Sequence, residues 1–231
     1  MTDAHRYAML LSALPYHGPL FSAKQTPLSR IRLNQRLALL EPEDFACLQT
    51  LGELQDWARQ DLDQTDTQAV ARANRLVPTI AHPFARDLVI WRLELRTLVA
   101  ALRRRRRGDA APSDNRWGYG RWAAQIRRHW HEAGFRLEGA FPWLPEANRL
   151  LALDDTVGLE RLLLGTVWNR LERLSDGHYF DFEAVVIYVM RWDLIARWTR
   201  YRGEAAVERF DELIAAGMTP TALDTITELR P

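Results

Sequence analysis

Lysine and cysteine are nearly missing from this chain. Of its 31 basic residues only Lys24 is a lysine, and Cys47 is the single cysteine in 231 residues. One cysteine excludes an intramolecular disulfide and any cysteine-cluster metal site, and it fits a reducing cytosol. Long apolar runs are missing too. The longest, Ala184 to Met190, has seven residues, against the ~18 that a membrane-spanning helix needs, so no direct membrane insertion is expected. The N-terminal "YAMLLSALP" follows mixed charge (Asp3, Arg6) and is read as part of the fold rather than as a targeting signal. Neither G-x-x-x-x-G-K-[ST] nor G-x-G-x-x-G occurs, which leaves phosphate-loop nucleotide binding without support. Ser12, Ser22 and Ser29 lack the G-x-S-x-G context of a nucleophile elbow. The expectation is a protein without catalytic residues, cofactor, metal or small-molecule substrate.

What is present is the composition of a folded helical protein, 47% hydrophobic and 26% charged. Charge is segregated within a net of only +1: residues 41–66 carry eight acids against Arg59, and residues 86–136 carry thirteen arginines against five acids. Such segments neutralise one another when they pack together, and the small net charge gives no strong overall field.

Helical signals recur along the chain. Pro42-Glu43-Asp44 has the chemistry of a first helical turn, and Phe45, Leu48, Leu51, Gln55 and Trp57 follow on one broad face. A second short helix is expected to end near Pro78. Pro83 opens the clearest helix: Phe84, Leu88, Trp91, Leu95, Leu98 and Leu102 alternate steps of four and three, a stripe that no strand produces. Arg103 to Arg107 close that helix and Gly108 stops it. The following "GDAAPSDN" has linker composition, so a boundary between two lobes, if the fold has two, falls near 108–115. Further on, a helix over Ala123–Glu132 and a turn over Phe141–Pro145 are expected. Asp154-Asp155 cap a helix carrying Leu163, Val167, Leu171 and Leu174, which ends at Ser175-Asp176-Gly177. Asp181 and Glu183 open another whose centre, "AVVIYVM", should be buried. Gly203 is expected to end it, before a last helix with Ala206, Phe210 and Leu213. Trp91, Trp168 and Trp198 are read as core. The fold class is all-α, a compact multi-helix unit spanning 1–231.

Several residues invite a sharper reading. His129, His131 and Glu132 in "HWHEAG" sit at i, i+2 and i+3, whereas helical zinc ligands stand at i and i+4, so no metal is expected there. Glu94 has Ile90, Trp91 and Leu98 as its helical neighbours. A carboxylate in that setting needs an arginine partner or an interface. Arg103, Arg104, Arg105, Arg106 and Arg107 wrap more than a full turn and cannot all face one ligand. They also suit the negative end of the helix dipole. The reading is an exposed helix end with at most a docking role toward an acidic protein surface, joined by Arg121, Arg127 and Arg128. The alternative is a helical nucleic-acid-binding protein that uses the arginine-rich 103–128 segment, Arg116 included. Its phosphate contacts would be salt-sensitive and its flanking tryptophans could stack on bases.

Two segments at opposite ends of the chain carry a resemblance: residues 7–51, "YAMLLSALP…CLQTL", and residues 180–214, "FDFEAVVIYVMRWDLIARW…DELI". They resemble a family of uncharacterised bacterial proteins encoded beside the subunits of V-type (V/A-type) ATPases. Tyr7, Leu10, Ser12 to Pro15, Phe180, Phe182, Val185, Tyr188, Ile195, Arg197 and Trp198 stand at places comparable to the family pattern. The helix "RDLVIWRLELRTLVAALRRRRRG" is also similar to helices of the all-helical funnel that seats the central stalk of those ATPases on the rotor ring. The resemblance implies a non-catalytic component or assembly protein that binds central-stalk or rotor subunits. It also implies a cytoplasmic location, peripheral to the inner membrane through the complex.

Overall fold

The computed structural model describes the backbone of residues 3–55 and 66–217 and the side chains of residues 5–54 and 66–201. Trp57, the acids at 56–63 and the helical face of Ala206, Phe210 and Leu213 lie outside the described side chains. Among the described residues there are nine α-helices and no strand: α1 (Asp3–Ser12), α2 (Arg30–Leu37), α3 (Pro42–Gln55), α4 (Asp66–Leu76), α5 (Pro83–Arg106), α6 (Ala123–Arg128), α7 (Leu144–Ala152), α8 (Thr156–Leu174) and α9 (Phe182–Gly217). The all-α class read from periodicity is the class observed. Among these residues no helix is long and apolar enough to cross a membrane.

The centre of the molecule is α5, whose 24 residues make a rod of ~36 Å. Its sequence shows one apolar stripe, yet the helix is buried on more than that stripe. Ala85, Val89, Leu93, Val99 and Ala101 are buried alongside Leu88, Leu95, Leu98 and Leu102. The extra faces are covered because α3, α6, α7 and α9 all pack on α5. The helix ends in a Schellman-type turn: Gly108, at φ +82, donates its N–H to the Arg105 carbonyl, and Asp109 donates to that of Arg104.

The N-terminal arm is bound to α9 along its length. The Tyr188 hydroxyl donates to the Pro15 carbonyl at 2.9 Å, and the Trp192 indole N–H donates to that of Leu28, also at 2.9 Å. Arg30 pairs with Asp193 at 3.0 Å and lies over the Trp192 ring. Asp155 caps α8 by accepting from the Gly158 N–H, and Asp181 caps α9 by accepting from that of Ala184, as the acids there led one to expect. The "AVVIYVM" run is largely core, with Val185, Val186, Ile187 and Met190 buried. Trp198 is buried as expected, whereas Trp91 and Trp168 are only half-buried.

Three local expectations need correction. The helix expected to reach Glu132 stops at Arg128. Beyond it the chain turns so that Phe135, at φ +58, can bury its ring completely near Trp130. That packing outweighs the cost of two successive left-handed residues, Phe135 and Arg136. Pro145 lies inside the first turn of α7, a helix that begins where the sequence suggests only a turn. Proline is tolerated there because first-turn N–H groups have no intrahelical acceptor. Finally, α9 continues through Gly203 to Gly217. A helix-interior glycine costs only ~1 kcal/mol, less than the flanking helix formers on both sides supply.

Candidate interaction surface at the arginine-rich end of α5

The run that closes α5 divides into inward and outward members, because five successive residues span more than one turn. Arg105 points inward. Its guanidinium donates to the Glu132 carbonyl, to the Ala133 carbonyl at 2.7 Å and to Asn148 Oδ1 at 2.7 Å, and it lies 4.7 Å above the Phe135 ring. One side chain therefore ties α5 to the 129–135 turns and to α7. Burial lowers the pKa of this guanidinium, while three acceptors take three of its five N–H donors. The expectation that all five arginines form a solvated end fails at this residue. The cause is the pair of carbonyls, Glu132 and Ala133, that the turns after the early stop of α6 present to Arg105.

Of the other four, Arg103, Arg106 and Arg107 are exposed, and Arg104 is half-buried over the Trp117 ring. Arg104 is 3.5 Å from Asp66 and 3.6 Å from Asp109, and Arg106 pairs with Asp154 at 2.5 Å. Arg107 pairs with Asp109 at 2.9 Å and keeps about two-thirds of its side chain exposed. Arg103 is exposed. The Asp66 contact, with the packing of α3 on α5, realises part of the charge complementarity between the acidic and basic segments.

The remaining arginines read as partner-binding candidates are each exposed, and all but Arg128 have a contact of their own. Arg127 donates to the Ser113 carbonyl at 2.9 Å, which, with the Trp130 indole on the Asp109 carbonyl, holds the 108–115 stretch against α6. Arg128 is exposed. Arg116 pairs with Asp114, and Arg121 lies over the Trp122 ring beside Glu94.

Glu94 does receive partners, and the two closest are of a kind that the sequence did not indicate. The Arg121 backbone N–H donates to Oε1 and the Trp122 indole N–H to Oε2, each at 3.2 Å. The Arg121 guanidinium is a marginal partner at 3.9 Å and is largely exposed. A turn further on, the Thr97 hydroxyl accepts from the Tyr119 N–H at 2.8 Å. These contacts explain the glycines of "WGYG". A Cβ on Gly118 would lie 2.5 Å from Thr97 Cγ2, and one on Gly120 would lie 2.4 Å from Glu94 Cγ. Gly120 also has φ +89, so both close approach and backbone shape require glycine there. Burial, and then the neighbouring Glu94 carboxylate, push the Tyr119 phenol above its usual range. The anchor borders a cavity that Asp87, Trp91 and Arg170 also line.

The histidines of "HWHEAG" make no joint site. His129 meets Glu132 at 2.9 Å, Glu132 also holds Arg136 at 2.7 Å, and His131 is exposed. Sequence reasoning passed over a different group, His178, Asp181 and Glu183, whose side chains converge at the start of α9. The available signal was a histidine three residues before an N-cap aspartate, with a glutamate in the first helical turn. Comparison of the chain with protein-family models, with curated proteins and with solved structures finds no match.

Proposed function

We propose that this chain is a non-catalytic interaction protein of a V/A-type ATPase. In this reading it binds central-stalk or rotor subunits, from a cytoplasmic position peripheral to the inner membrane. The reading rests on the resemblance of the two terminal segments. The observation that carries it is that those segments, more than 120 residues apart in sequence, pack as one unit. Leu10, Phe182, Val185, Ile195 and Trp198 are all buried, α1 packs on α9, and Tyr188 bonds back to Pro15. Arg197, also part of the pattern, holds the buried Glu160 in a two-pronged pair at 2.5 and 3.0 Å. The shared residues thus form a single scaffold, which is what a family pattern built on fold would preserve. The outward arginines Arg103 and Arg107 offer the cationic edge for an acidic partner surface.

The test is co-purification of the full chain with tagged V/A-type ATPase subunits, read by mass spectrometry. Recovery of central-stalk or rotor subunits in a salt-sensitive complex is the expected result. Recovery of none of them, together with salt-dependent binding of duplex DNA or RNA at low ionic strength, would replace this reading with the nucleic-acid one.

A further inference from the structure

We propose that His178, Asp181 and Glu183, joined by His82, form a site for a first-row divalent transition metal ion of the zinc type, clamping the start of α9 to the start of α5. The ligand atoms of His178, Asp181 and Glu183 all lie within 4.8 Å of one another. His178 Nδ1 is 2.7 Å from Asp181 Oδ2, and His82 Nε2 is 3.7 Å from Glu183 Oε1. Around a zinc ion with bonds of about 2.0–2.1 Å, tetrahedral ligand atoms stand ~3.3 Å apart. Side-chain adjustments on the order of 1 Å therefore close His178, Asp181 and Glu183 on one ion, and His82, beside Glu183, is the imidazole placed to complete the set.

Preorganisation favours this reading over a chance cluster. His82 immediately precedes Pro83, whose ring restricts the backbone of the residue before it, and its ring packs edge-on to Phe182 at 4.9 Å. His178 in turn packs on Phe84 at 5.5 Å. Each helix start thus supplies the phenylalanine that fixes the other's histidine. His82 Nδ1 is buried with no hydrogen-bond partner among the described residues, so Nε2 is the nitrogen that serves the cluster. Capping of α9 uses only Asp181 Oδ1 and leaves Oδ2 for the site. All four side chains are roughly a quarter to two-fifths exposed, so an ion can enter.

The donor chemistry points to the metal class. Two imidazoles discriminate against magnesium and calcium, which take oxygen ligands, and they suit zinc, nickel or cobalt. Two carboxylates and two neutral imidazoles balance a divalent cation without residual charge, which offsets the unfavourable placement of a cation at the positive end of α9. This site stands apart from the ATPase reading and depends on none of it.

The test is calorimetric titration of the chelator-treated full chain with Zn²⁺. One equivalent should bind. His178→Ala and Glu183→Gln should each weaken binding at least tenfold, while His131→Ala, at an exposed histidine outside the cluster, should leave it unchanged. Mg²⁺ and Ca²⁺ in excess should not compete. Should either site variant fail to fold by circular dichroism, X-ray absorption of the Zn²⁺-loaded native chain decides. An inner coordination sphere of two imidazole nitrogens and two oxygens supports the site. Absence of saturable Zn²⁺ binding, binding unchanged in folded site variants, or a coordination sphere lacking two imidazoles overturns it.

Discussion

Between Asp109 and Trp143 the chain forms a single helix of six residues, Ala123–Arg128, whereas from Thr156 to Tyr201 it is helical except at 175–181. Both regions pack on α5, yet by different means. In the regular region the backbone groups are satisfied within the helices, and the surface facing α5 and the N-terminal arm is mainly apolar, with Tyr188 and Trp192 adding hydrogen bonds to the arm. In the irregular region many backbone groups have no helical partner and bond to side chains instead. Thr97 serves Tyr119, Glu94 serves Arg121, and Arg105 serves Glu132 and Ala133. An unpaired buried backbone group costs about as much as a lost hydrogen bond, so the polar residues of α5 are placed where the facing chain is least regular. Apolar truncation should therefore be most damaging in one region and polar truncation in the other.

The largest effect is expected at Trp198, a buried residue of α9 that meets Phe21 edge-on at 5.2 Å. Trp198→Ala should destabilise by ~3–5 kcal/mol, the range for aromatic truncation in a core, measured by denaturant unfolding followed by circular dichroism. On the irregular side, Glu94→Ala strips two donors of their acceptor inside the protein and should cost ~2–4 kcal/mol. Glu94→Gln keeps the size and one acceptor oxygen, so it should recover about half of that loss. If Glu94→Ala unfolds at the native denaturant midpoint, the polar anchor contributes nothing and the contrast between the regions collapses.

A third effect separates the regions by pH. His17 lies between the N-terminal arm and α9, its ring 4.0 Å from that of Tyr188. Burial first, and then the nearby Arg191 guanidinium, lower its pKa from 6.5 to about 4. The unfolded chain therefore binds a proton at this residue between those values while the folded chain does not. The sign follows: stability is undiminished above pH 6.5 and falls as the pH drops toward 4. The ring is part exposed, so the loss should be roughly 1–2 kcal/mol rather than the full shift. His17→Asn should flatten the unfolding midpoint over that window, and an unchanged slope would place the acid sensitivity elsewhere.

The same contrast decides what could be read from sequence. Helices with continuous stripes, α5 and α8 above all, were legible because burial imposes a period of 3.6 on their residues. The caps at Asp155 and Asp181 were legible because their chemistry is local. The early end of α6 was not, since it depends on Phe135 reaching a pocket made by Trp130 and Arg105, and no local propensity encodes that contact. Glu94 was recognised as needing an arginine partner or an interface; Arg121 is that arginine at 3.9 Å, but the closer donors, a backbone N–H and an indole brought in 27 and 28 residues later, were not foreseen. The contacts of His82 with Phe182 and Glu183, and of Phe84 with His178, join residues more than 90 positions apart, and only the packing of α9 on α5 brings them together.

The smallest stability effect, and the finest test of the contrast, lies within the arginine run. Arg105 holds two carbonyls and Asn148, so Arg105→Gln should cost ~1.5–3 kcal/mol, the range for hydrogen bonds from a charged group. Arg103 is exposed, and Arg107 has only the exposed pair with Asp109. The double change Arg103→Gln, Arg107→Gln should stay within about ±0.5 kcal/mol of the native chain. Its effect should appear instead in partner affinity. That effect should be greatest at low salt and fade toward 1 M, where screening shortens the reach of charge to ~3 Å. Equal destabilisation by Arg105→Gln and by the double change would mean that the run acts as an undivided helix end. A destabilised Arg105→Gln beside a native-like double variant with weakened binding would separate the two roles: one arginine holds the irregular region to α5, and its neighbours are left to face a partner.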